Sequence, residues 1–153
     1  MVSIQNSYSL LTRTDFENGL AECCSARNEN VGLLAYSPLA GGILTGKYAK
    51  DDCPKTARLN LFEGYMSRYK QSLAQSAVAE YCAIADSIGM SPSELALAWC
   101  YKQPHVASSI IGATSITQLK ENIGAYDKMS MIDAEVMDRI NDVYKRLKDP
   151  AKI

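Results

Sequence analysis

Histidine is all but missing from this sequence. His105 stands alone among 153 residues, which excludes a histidine-rich metal centre and leaves any Cys–His or Ser–His nucleophilic pair a single candidate base. It follows Pro104 at the head of an apolar run and reads as a histidine at a strand entrance. C-x-x-C pairs are absent too. The five cysteines, Cys23, Cys24, Cys53, Cys82 and Cys100, are odd in number and indicate neither a disulfide framework nor a zinc knuckle. No block of five like charges occurs, and sixteen basic residues against seventeen acidic ones leave a net charge of -1. Nucleic acid and membrane surfaces therefore lack an electrostatic claim as partners. The apolar runs stop far short of the roughly 18 residues that a spanning helix needs. Met1-Val2-Ser3-Ile4 opens with neither a basic n-region nor an apolar h-region, so no secretory signal is expected and the cytoplasm is the expected compartment.

What is present is an ordinary globular composition, 47% apolar and 22% charged, in a length suited to one domain. Val31-Gly32-Leu33-Leu34-Ala35-Tyr36 and Val106 to Ile111 carry no charge and read as strands buried on both faces, with Val2 to Ser7 as a third. Helices lie between them. Thr14-Asp15-Phe16-Glu17 matches a capping box with Thr14 as N-cap, followed by Leu20, Cys23 and Cys24. Ala74, Ala77, Val78, Tyr81, Ile84, Ala85 and Ile88 recur at helical spacing up to Gly89. Ser91-Pro92-Ser93-Glu94 is a second box with proline at the first helical position, and Ser115-Ile116-Thr117-Gln118 a third. A final helix from about Met131 to Leu147 repeats Val136, Ile140, Val143, Tyr144 and Leu147. Residues 49–70 form the one long irregular segment. The order of these elements predicts a parallel sheet joined by right-handed crossovers.

Ligands of such folds bind at the carboxyl ends of strands, where three segments carry polar chemistry. Gln5-Asn6-Ser7-Tyr8 either forms a turn or offers amides to a planar ligand. Tyr36 to Tyr48 begins with a ring at the sheet's mouth, suited to stacking. Its glycines Gly41, Gly42 and Gly46, with Lys47, either make a plain turn or let backbone N–H groups approach an anion. It is not a Walker A loop, because Tyr48 follows the lysine. In the third segment, Gly112 frees the backbone after the last strand. Ser115 and Gln118 then cap a helix whose N-terminus, with Thr114, is also a ready anion site.

Together, Tyr-Ser-Pro-Leu-Ala-Gly-Gly-x-Leu-Thr-Gly-Lys-Tyr over residues 36–48 and Ile-Gly-Ala-Thr-Ser-x-x-Gln-Leu-x-Glu-Asn over residues 111–122 strongly resemble the carboxyl-terminal part of the aldo-keto reductases. The resemblance is closest to the branch of voltage-gated potassium-channel β subunits and related reductases, and it runs from about Val2 to Tyr126. It implies an α/β fold of the (β/α)8 TIM-barrel type. Of that barrel this chain would be about strands 6–8 with their helices, parallel and incomplete, with residues 1–153 as a single partial domain. The implied cofactor is NADP(H), and the implied reaction is reversible reduction of aldehydes or ketones to alcohols. By the same resemblance Gln5 binds the nicotinamide carboxamide and Tyr36 stacks on the nicotinamide ring. Ser37, Pro38, Leu39 and Gly41 lie along the ribose and pyrophosphate, Lys47 contacts the pyrophosphate, and Arg58 sits near the cofactor. Gly112, Thr114, Gln118, Glu121 and Asn122 surround the adenosine and its 2′-phosphate. Many family members carry an arginine where Gln118 stands, which bears on NADP against NAD.

The family's catalytic Asp, Tyr, Lys and His lie on earlier strands that no segment here resembles. Tyr36 and Lys47 are not the catalytic tyrosine and lysine, and His105 has no match. The chain is therefore expected to be a fragment that holds cofactor without turning over a carbonyl alone. The alternative is a non-catalytic nucleotide-binding or regulatory module like the channel β subunits, although those carry a tryptophan at the position of Tyr36. A decayed product is a third possibility. Uncovered strands predict poor solubility or self-association.

Overall fold

The computed structural model describes residues 2–49, 53, 57–61, 64 and 66–151. Three strands, β1 (Ser3–Ser7), β2 (Gly32–Tyr36) and β3 (Val106–Ile110), form one sheet in the order β1-β2-β3. Both pairings are parallel, as expected. The helices are α1 (Thr14–Glu17), α2 (Leu20–Cys24), α3 (Arg58–Leu61), α4 (Ser72–Ser87), α5 (Pro92–Lys102), α6 (Ile116–Gly124) and α7 (Ala134–Arg146). Of the irregular segment expected over residues 49–70, residues 50–52, 54–56, 62, 63 and 65 lie outside the described residues. The described part contains α3 and a 3-10 turn at Ser67–Lys70.

The sheet has one dry face. Leu33 and Ala35 are fully buried and join Phe16, Leu95 and Trp99 in the core, whereas Gln5, Tyr36, Ser108 and Ile110 are exposed and Leu34 is half-buried. Successive strand residues point to opposite faces, so these two sets are the two sides of one sheet. The expectation of burial on both faces is thus corrected. An apolar run free of charge reports that both faces want cover, and only one is covered by the described residues. At the β2–β3 seam the register shifts between Leu33 and Leu34. There a Cβ on Gly32 would lie 2.7 Å from the Ala107 Cβ, so the close backbone approach requires glycine.

Beneath the dry face the core is aromatic. Tyr8 stacks on Trp99 with ring centroids 5.2 Å apart, and His105 meets Tyr8 edge-on at 5.0 Å. The stripe of α4 buries Ala74, Ala77, Val78, Tyr81, Ile84 and Ala85, while α7 buries Val136, Ile140 and Val143. The box at Ser91 is complete: its hydroxyl accepts from the Glu94 N–H, and its own N–H donates to the Glu94 carboxylate at 2.8 Å.

The box expected at Thr14 is not formed. Arg13 occupies the N-cap position without a side-chain cap. The Asp149 carboxylate accepts instead from the N–H of Arg13 at 2.9 Å and of Thr14 at 3.0 Å. Glu17 is drawn away to the Tyr8 hydroxyl at 2.6 Å and the Arg13 guanidinium at 2.8 Å. The helix also ends early, because Gly19 at φ +97° separates α1 from α2, and α2 buries no residue of its own.

Candidate functional site

Register brings the strand tips together. Ser7 pairs with Tyr36, and Tyr36 with Ile110, so the segments following all three strands leave the same edge of the sheet. Gln5 pairs with Leu34, two residues before Tyr36 on the same face, which sets the Gln5 and Tyr36 backbones roughly 8 Å apart by strand geometry. Tyr36 stands on the central strand and is 39% exposed. Tyr36 and Gln5 thus stand diagonally on adjacent strands of one exposed face.

The segment after β2 is wound tightly by left-handed residues. Ser37, Ala40, Gly41, Gly42 and Gly46 all take positive φ, and the Ala40 and Gly42 N–H groups each donate backward at 2.8 Å, to Ser37 and Leu39. Pro38 is buried and Leu39 packs against the core, which anchors the turn from beneath. A Cβ on Gly41 would lie 2.4 Å from the Met66 sulfur, and one on Gly42 would lie 3.5 Å from the Lys47 ammonium. The cation therefore sits over the bare backbone of the glycine turn, with the Tyr48 ring 5.1 Å below it. The Tyr48 hydroxyl accepts from the Leu59 N–H at 3.3 Å and so ties α3, where exposed Arg58 stands, to the same loop. Met66 was not singled out by sequence reasoning, and Tyr48 entered only as the last residue of the glycine segment, with no role of its own. No local motif signals Met66, because it touches a turn that lies 25 residues earlier in the chain.

The third segment differs from expectation. Ser115 caps α6, accepting from the Gln118 N–H at 3.2 Å, but the Gln118 carbonyl turns back to accept from both the N–H and the hydroxyl of Thr114, at 3.0 and 3.1 Å. The Thr114 donors, expected to be free beside the helix end, are thus already engaged. Glu121 is engaged elsewhere, accepting from the Ser91 hydroxyl at 2.6 Å. Asn122 is buried and donates to the Gly112 carbonyl at 3.3 Å, clamping the strand-to-helix turn. What the glycine turn offers an anion is the Lys47 ammonium, since the Ala40, Gly42 and Gly46 N–H groups already donate within the turn. A 2′-phosphate fits the start of α6 only after Gln118 releases Thr114, since an anion otherwise meets a carbonyl oxygen.

The other titratable groups are held for structure. Burial pushes the His105 pKa below its ordinary value, against the pull of the Glu17 charge, and its Nε2 has no hydrogen-bond partner. Burial, together with Glu17, pushes the Tyr8 hydroxyl far above the ordinary tyrosine value. Burial lifts Cys100 to about 11, opposed by its contact with Ser109. The Arg13 guanidinium lies over the rings of Tyr144 (4.1 Å) and Trp99 (5.1 Å) and donates to Asn141. This knot at Arg13 also escaped sequence reasoning. Among the described residues no disulfide links the five cysteines, no cluster of three or more potential metal ligands exists, and no helix is long and apolar enough to cross a membrane.

The sequence also matches known proteins. The model of the Aldo/keto reductase family matches residues 1–145. An aldo-keto reductase of Babesia bovis is 42% identical over 154 residues, covering 99% of this chain and 54% of the relative. Protein Tas of Escherichia coli K12 is 50% identical over 123 residues, covering 80% of this chain and 34% of the relative. A probable voltage-gated potassium channel subunit beta of Oryza sativa is 37% identical over 142 residues, covering 91% and 42%. The chain thus spans between a third and just over half of the length of these relatives.

Proposed function

Because this chain belongs to the aldo/keto reductase family, a TIM-barrel family, we propose that it is the cofactor-cradling part of an NADP(H)-dependent carbonyl reductase, equivalent to about strands 6–8 of the barrel. The observation that carries the reading is the parallel register that sets Gln5 and Tyr36 on one open face, at the edge where the Gly41–Gly42 turn and Lys47 emerge. When bound, the cofactor supplies the hydride that reduces an aldehyde or ketone.

Each residue then has a physical task. The Tyr36 ring stacks on the nicotinamide, and the Gln5 amide orients its carboxamide. The left-handed turn through Gly41 presents backbone along the ribose and pyrophosphate, with Ser37, Pro38 and Leu39 setting its entry, and Lys47 neutralises charge there. Arg58 adds a second cation from α3. Asn122 holds Gly112 open at the adenosine side, while Thr114, Gln118 and Glu121 reorganise to admit the 2′-phosphate. The proton for the substrate oxygen comes from outside this set, because a general acid must be poised against that oxygen and no segment here resembles the strands that carry the family's catalytic Asp, Tyr, Lys and His. The chain therefore binds nucleotide and does not by itself reduce a carbonyl.

The test is a titration of NADPH, and separately NADH, into the protein while nicotinamide fluorescence is followed. Saturable enhancement is expected, weakened at least tenfold by Tyr36→Ala, with no aldehyde-dependent loss of NADPH absorbance. Failure of both nucleotides to saturate overturns the reading, and steady turnover of an aldehyde overturns the assignment of the proton donor elsewhere.

A further inference from the structure

A polar side chain shut away from water without a hydrogen-bond partner destabilises a fold, so each such group calls for a physical reason. Among the described residues four buried side-chain atoms have none: Ser7 Oγ, Gln71 Oε1, Trp99 Nε1 and His105 Nε2. Gln71 stands at the N-cap of α4, and Trp99 and His105 belong to the aromatic core around Tyr8. Only Ser7 lies at the carboxyl edge of the sheet, as the last residue of β1.

Its place is fixed from two directions. Ser7 follows Gln5 by two residues, so the alternation of a strand puts both on the open face, about 6.6 Å apart along β1. Across the ladder its partner is Tyr36 on the central strand, about 4.8 Å away. Ser7 therefore occupies the corner between Gln5 and Tyr36. The polar groups around that corner are already engaged. The Ser7 N–H donates to the Asn6 side-chain carbonyl at 2.8 Å, and the Asn6 amide donates to the Asp15 carbonyl at 3.5 Å. The Tyr8 N–H donates to the Tyr36 carbonyl at 3.2 Å. These bonds hold the tip of β1 and leave the Ser7 hydroxyl with none, although the residue is only 7% exposed.

The chemistry of the missing partner can be narrowed. A serine hydroxyl is neutral, donates or accepts, and is re-aimed between staggered positions by one torsion. The cation that would meet a phosphate, Lys47, stands over Gly42 in the turn after β2 and not at this corner. A ring lying on Tyr36 carries its polarity at its rim. On a nicotinamide that rim bears a primary carboxamide, with its donor and its acceptor on different atoms, so a second polar side chain beside Gln5 has a group to bond. We propose that Ser7 is a further cofactor contact: its hydroxyl is unpartnered in the free chain and bonds the nicotinamide carboxamide, beside Gln5, once the ring lies on Tyr36. The inference rests on the nucleotide reading and adds to it a residue which that reading does not contain. A hydroxyl whose partner arrives only with the ligand gives Ser7→Ala opposite effects on the two states. The change removes an unmet polar group from the free chain and a hydrogen bond from the bound one.

The experiment compares the full chain with its Ser7→Ala variant. Urea midpoints are measured without ligand, and calorimetric titrations are made with NADPH and with 2′-phosphoadenosine diphosphoribose, which keeps both riboses and all the phosphates but lacks the nicotinamide. The variant is expected to keep or raise the midpoint and to bind NADPH about fivefold more weakly, the worth of one neutral hydrogen bond. Its affinity for the ring-free nucleotide should be unchanged. If the wild-type chain binds neither nucleotide, the reading beneath the proposal falls and takes the proposal with it. If the wild-type chain binds both and Ser7→Ala weakens them equally, or weakens neither, the proposal alone is overturned. A lowered midpoint would show that the hydroxyl has a partner in the free chain, and overturns it as well.

Discussion

The two faces of the sheet are made from alternate residues of the same strands, yet they have opposite characters. On the inner side Leu33 and Ala35 vanish into a core with Phe16 and Trp99, while one residue along, Leu34 and Tyr36 stand half-covered or open. The first face holds the molecule together. The second contributes little to holding this chain folded, which leaves it to recognise something else. Substitutions on the two faces should therefore separate stability from binding.

The largest effect is expected on the dry side. Trp99→Ala removes a fully buried ring stacked on Tyr8 and lying under Arg13, and should cost about 3–5 kcal/mol in urea unfolding. Tyr36→Ala on the open side should change stability by no more than about 0.5 kcal/mol while removing nucleotide affinity. Equal losses of stability would erase the distinction between the faces. Next in size is Gly41→Ala, which places a Cβ 2.4 Å from the Met66 sulfur at φ +68°. A cost of about 1–3 kcal/mol is expected, with nucleotide binding reduced together with it. Restoring binding by adding Met66→Ala would identify the clash as the cause.

Asp149→Ala should follow, at about 1 kcal/mol, the usual worth of a helix cap, with no change in nucleotide affinity, since the cap lies among structural contacts. The smallest effect belongs to His105. Its folded pKa lies below the unfolded value near 6.5 because burial disfavours the imidazolium, so below about pH 6.5 the unfolded chain binds the proton more readily. Stability is complete above that pH and falls as pH drops toward the folded value, with Glu17 softening the loss and Arg13 adding to it. His105→Gln, followed by urea midpoints between pH 5 and 7.5, should flatten that dependence.

What could be read from the residues follows the range of the forces involved. The Ser91 box closed as read, because its partners are three residues apart, and the further contacts of Ser91 with Glu121 and of Glu94 with Lys128 use the hydroxyl proton and the second carboxylate oxygen that the box leaves over. The parallel strands were legible for the same reason: their uncharged runs are local features. The Thr14 box was misread because Glu17 found better partners in Tyr8 and Arg13, while Asp149 took over the capping. Gln118 was legible as part of a cap, but its turn back onto Thr114 was not, since sequence spacing does not fix a side-chain rotamer. One-sided burial of the sheet was also illegible. The composition of a strand states how much cover it wants, and only the packing shows how much it has. The grouping of Gln5, Tyr36 and the glycine turn was inferred from the family resemblance, and the register explains how such a grouping is physically possible.

The carboxylate of Asp149 closes α1 from 135 residues away. During synthesis the first helix therefore leaves the ribosome long before the group that finishes it has been made. Until the last turn past α7 emerges, Arg13 and Thr14 carry bare amides and the opening stretch remains provisional. Loss of the segment from Asp149 onward would thus unsettle α1, far away in sequence from the cut.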